Sequence, residues 1–72
     1  GDPMRVEKAR LQFQRALRLD PAFAPAGFNL ALFYERQNEP AEAAAQWKSY
    51  LELNPKSDWT SEAQARLQGL SR

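Results

Sequence analysis

Apolar residues recur at helical spacing in four runs along this chain. Val6, Ala9, Phe13, Ala16 and Leu17 form the first stripe and predict a helix over 4–19. Arg5, Lys8, Arg15 and Arg18 fall mostly off that stripe, and Asp20-Pro21 closes the run, because a residue before proline is pushed out of the α region. A second run begins near Ala24. Pro25 suits the first turn, where a missing N–H costs nothing, and Leu30, Ala31 and Tyr34 mark the buried side. Gln37-Asn38 ends it, with Asn38 the natural residue for a left-handed C-terminal position. The third helix opens at Pro40, places Glu42 at the positive end of its dipole and buries Ala43, Trp47, Tyr50 and Leu51 before Asn54-Pro55. The fourth spans about Trp59 to Leu70, with Ser57 or Asp58 as N-cap and Ala63, Leu67 and Leu70 inward. No strand alternation occurs, so the expected class is all-α.

Composition narrows the chemistry. The chain has 72 residues, which make one small domain with a thin core, expected over 4–72. Residues 1–3 read as the remnant of a tag and stay outside the fold argument. Cysteine and histidine are both absent, which removes disulfides and the usual zinc and thiolate sites but leaves the compartment open. Net charge is only +1, too small to imply nucleic acid. It is unevenly spread: residues 1–19 carry five cations against two acids, and residues 20–55 carry two cations against five acids. No apolar run approaches the roughly 18 residues that span a bilayer, so membrane insertion is not expected.

The chain also matches itself. Shifted by 34, Ala9 falls on Ala43, Gln12 on Gln46, Leu17 on Leu51, Leu19 on Leu53 and Pro21 on Pro55. Phe13 falls on Trp47 and Asp20 on Asn54. These five identities in sixteen compared positions (6–21 against 40–55) exceed by several times the roughly one that chance would give, and a fixed period of this size marks repeat proteins.

On these residues the chain resembles the tetratricopeptide repeat family. That family's first helix asks for a large residue, then Leu and a small residue, then Tyr; Leu30, Ala31 and Tyr34 supply the last three, while Gly27 departs from the first. Gly27 therefore implies either a hole or a close backbone contact. The family's second helix asks for Ala, an aromatic, Ala and a closing Pro. Ala9, Phe13, Ala16 and Pro21 supply all four; Ala43, Trp47 and Pro55 supply three, with Tyr50 in place of the second Ala. The resemblance covers about 5–57. It implies antiparallel helix hairpins in a right-handed α-solenoid: 4–19 as the second helix of a partial repeat, 24–55 as a full repeat and 58–70 as a capping helix. In strict register Ser61 and Gln64 would fall on core positions of that last helix. Two extra loop residues turn Ala63, Leu67 and Leu70 inward instead, leaving the polar outer face that repeat arrays need.

No catalytic constellation is visible, since the easiest general base is absent and Glu35, Glu39 and Glu42 are spaced like surface acids. No cofactor or metal is expected. The resemblance implies a module that holds a peptide or helix of another protein in a concave groove, with Phe28 and Leu32 as an apolar floor flanked by Asn29, Glu35 and Arg36. The competing reading of Phe28 and Leu32 is packing alone. Two rival functions stand beside this: a structural or self-assembling terminal segment of a larger array, and a small helical nucleic-acid binder. Trp47 and Trp59 read as core and helix-start anchor. A homodimer through the first helix is a further expectation, because its stripe is covered on one side only by 30–34; its cations would oppose the pairing.

Overall fold

The computed structural model describes residues 3–70. Four helices run along the chain: α1 (Pro3–Leu19), α2 (Ala24–Arg36), α3 (Pro40–Leu53) and α4 (Thr60–Leu70). No strand occurs among the described residues. The helix expected from Met4 begins one residue earlier, so Pro3 belongs to the fold and not to a tail; Gly1 and Asp2 lie outside the described residues.

The helix ends follow from local chemistry. Asp20 Oδ1 accepts the amide of Ala22 at 3.1 Å, which turns the chain at Pro21. Pro25 sits in the first turn of α2 and Pro40 opens α3, both where no intrahelical donor is needed. Asn38 has φ +60°, the left-handed position expected after α2, and neighbouring amides of Gln37 and Glu39 bond back to Phe33 and Tyr34 carbonyls at 3.0 and 2.9 Å.

Of the two expected caps, Ser57 serves the entry to α4: its Oγ accepts the Trp59 amide and its carbonyl accepts the Thr60 amide, both at 3.2 Å, just ahead of the bond from the Ala63 amide to the Trp59 carbonyl at 2.9 Å. The same hydroxyl has two further partners. The single Thr60 hydroxyl proton goes to the Asn54 carbonyl, so Ser57 Oγ donates to Thr60 Oγ1 at 3.1 Å and accepts from Tyr50 Oη at 2.7 Å. The Ser57 amide also donates to Thr60 Oγ1. This hydroxyl chain ties the last turns of α3 to the first turn of α4, which a polar loop alone would not do.

Each helix packs on its neighbours in the chain, α1 on α2, α2 on α3 and α3 on α4, giving a slab 33 × 30 × 16 Å. Ala31, Ala43, Trp47, Tyr50 and Ala63 form the buried centre, with Leu67 and Leu70 of α4 packed against it as their spacing predicts. The three alanines let helix backbones approach, and the two large aromatics fill what remains. In α1 no residue is fully buried; Val6, Ala9, Phe13, Ala16 and Leu17 are each half-buried, as a helix covered on one side should be. Phe13 meets Phe33 edge to face at 6.3 Å, and Gln14 Nε2 donates to Tyr34 Oη at 3.4 Å.

Gly27 is a close contact and not a hole. A Cβ there would stand 3.1 Å from Cδ2 of Tyr50. Replacing a helical Gly by Ala ordinarily gains about 0.8–1.0 kcal/mol. Tyr50 is only 1% exposed and is held at its hydroxyl by Ser57, so it has little room to yield. Gly27→Ala is therefore expected to lower stability by about 1 kcal/mol instead of raising it. Urea unfolding checks this; a raised midpoint would mean that the Tyr50 ring shifts freely.

Candidate functional site

The five candidate residues lie on α2, and burial divides them. The exposed positions of that helix are Pro25, Asn29 and Arg36, which fall on one narrow stripe at i, i+4 and i+11. The rest of its circumference is taken by α1, α3 and α4. Leu32 borders the stripe and is half-buried against the core.

Phe28 belongs to the interior side. Its ring stands 4.9 Å from that of Trp47, 5.8 Å from Tyr50 and 5.4 Å from Trp59. The first two contacts are edge-to-face, the favoured geometry for aromatic quadrupoles. Phe28 thus closes the aromatic core towards α4, and of the two readings the packing one describes its surroundings.

Glu35 also turns inward. Its Oε2 accepts the indole N–H of Trp47 at 2.7 Å, and its Oε1 accepts Arg66 Nη1 at 3.0 Å. Arg66 in turn donates from Nε to Glu62 Oε1 at 2.9 Å. Trp47 is fully buried, so its N–H would be costly to leave unpaired, and Glu35 meets that need while linking α2 to α3 and α4. Among the described residues no buried side-chain polar atom lacks a partner. Sequence spacing put Glu35 at a groove edge; it could not reveal Arg66, thirty-one residues on, as its partner.

One neighbouring feature escaped sequence reasoning. At the N-terminal end of the α2 stripe, Ala24, Lys56, Ser57, Asp58 and Trp59 line a shallow depression of about 320 Å³. Trp59 is 42% exposed there while its inner side touches Phe28. It anchors the helix start as expected and also presents an aromatic edge to solvent. The signal in the sequence was a large aromatic outside the periodic core positions.

Arg36 makes no ion pair among the described residues. On α1, Glu7 pairs with Arg10 one turn on; the hydrogen bond first and the charge second hold that guanidinium above its ordinary pKa. No helix among the described residues is long and apolar enough to cross a membrane.

Comparison with protein-family models, with curated proteins and with solved structures gave no match.

Proposed function

We propose that this chain is a tetratricopeptide-like module that holds a segment of another protein, acting by binding and not by catalysis. In this reading α1 is the second helix of one repeat, α2 and α3 form the next hairpin, and α4 caps a right-handed array. The 34-residue self-match supports it, as do the neighbour-on-neighbour packing and the fully buried Ala31, Ala43 and Ala63 at helix contacts.

The observation that carries the binding reading is the α2 stripe running into the Trp59 depression. Asn29 offers an amide donor and acceptor suited to a peptide backbone. Arg36 offers an unpaired cation, and Leu32 with the exposed edge of Trp59 offers apolar contact. An extended peptide with an acidic residue and one apolar anchor fits this order of groups. Phe28 and Glu35 shape the surface from beneath.

The test is selection from a displayed random-peptide library, then calorimetric titration of an enriched peptide. The combined Asn29→Ala and Arg36→Ala change is expected to weaken binding about tenfold, equivalent to ~1.4 kcal/mol, with the melting temperature unchanged. Binding that survives this change intact would move the interaction off α2.

A further inference from the structure

The side of the molecule away from the α2 stripe carries two helices of opposite charge. Leu17 of α1 faces Gln46, Ser49 and Tyr50 of α3 across a surface groove, with Gly27 of α2 behind it. The last turns of α1 and α3 therefore lie side by side, and a second groove brings Val6, Glu7 and Arg10 of α1 to Glu39 at the entry to α3, so the two helices run in the same direction. The outer face of α1 presents Lys8, Arg15 and Arg18 around Leu11, which is 51% exposed. None of the three cations takes part in an ion pair among the described residues.

The 34-residue shift sets α1 against α3 position by position. Lys8 corresponds to Glu42, Arg18 to Glu52, and Leu11 to Ala45, all exposed. Where one helix is basic and projects a Leu, the other is acidic and offers only a methyl. The two charged positions on each helix are ten residues apart, about 15 Å along the axis.

We propose that two copies of this chain pair through this side, α1 of each lying on α3 of the other. A twofold axis between the two helices and parallel to them exchanges α1 with α3 without moving residues along the helix. It brings Lys8 to Glu42 and Arg18 to Glu52 of the second copy, and sets Leu11 on Ala45. The contact occurs twice and closes, as an isologous interface must. Lys48 is exposed on α3 one turn before Glu52 and competes for it, yet the faces stay opposite in sign: three cations on α1 against two acids and one cation on α3. Pairing α1 on α1 would instead set like charges together. The surface differs from the α2 stripe, so both can be occupied at once.

Light scattering and sedimentation on the full chain, from micromolar to millimolar concentration, test the proposal. At low salt the mass is expected to rise from 8.2 kDa towards twice that value. It should fall back as salt approaches about 1 M, where the screening length is about 3 Å. The double change Lys8→Glu with Arg18→Glu is expected to abolish the rise, and so is Glu42→Lys with Glu52→Lys. An equimolar mixture of the two variants should dimerise again, since each basic face then meets an acidic one at both contacts. A wild-type mass constant at all concentrations would overturn the proposal. So would a dimer that strengthens with salt, or two variants that fail to pair when mixed. Binding of anionic vesicles or acidic peptides by a wild type that stays monomeric would assign α1 to a different occupant.

Discussion

Trp47→Ala is expected to remove about 3–5 kcal/mol, a large share of this chain's whole stability. Trp47 is fully buried and is one of the two largest side chains in the core. Its ring meets Phe28 and Tyr50, so truncation opens a void that no neighbour can fill without leaving its own partners. Trp to Ala in a core costs about 3–5 kcal/mol. A chain of this length has a total stability of about 4–11 kcal/mol at the usual 0.05–0.15 kcal/mol per residue. The change also strips Glu35 of its indole donor and leaves it Arg66 as its partner among the described residues. Urea titration followed by far-UV circular dichroism measures this directly. A loss below about 1 kcal/mol would show that Trp47 does not hold α2, α3 and α4 together.

Phe28→Ala should be the next most damaging change, at about 2–4 kcal/mol, somewhat below the fully buried value because the ring is half-buried. Three aromatic rings lose a neighbour at once: Trp47 and Tyr50 of α3, and Trp59 at the entry to α4. The α3–α4 end should loosen first, with Trp59 fluorescence shifting before the helix signal is lost. This outcome separates the two readings of Phe28. A groove-floor residue would weaken peptide binding while sparing stability. A core residue lowers stability, and binding follows only as far as folding does. Denaturation and peptide titration on the same preparation decide it, and a stability loss below about 1 kcal/mol would return Phe28 to the groove.

Periodicity and turn chemistry were enough to place the four helices. The spacing of Ala43, Trp47 and Tyr50 fixes which face of α3 is buried whatever it packs against, and Asp20-Pro21, Pro40 and Asn54-Pro55 stop or start helices through backbone geometry alone. The left-handed Asn38 was legible for the same reason. These are local effects, carried within a few residues of chain. The inward turn of Ala63, Leu67 and Leu70 was legible too, because only one face of α4 has apolar residues to bury.

What the sequence could not decide were matters of contact across the chain. Gly27 read equally as a hole or a close approach, and the Tyr50 ring lying 3.1 Å from its missing Cβ decides for the second. Ser57 was legible as a cap for the entry to α4, but the bonds its hydroxyl also makes to Tyr50 and Thr60 were not. Phe28, Leu32 and Glu35 shared a spacing with Asn29 and Arg36, so they looked like one surface. Helical spacing tells which residues share a direction on one helix, but not which directions other helices occupy. α3 and α4 cover the side holding Phe28 and Glu35, and Trp47 and Arg66 take the two carboxylate oxygens. The stripe left to solvent is the part of α2 that no other helix reaches, and that follows from three-dimensional packing of α1, α3 and α4 around it.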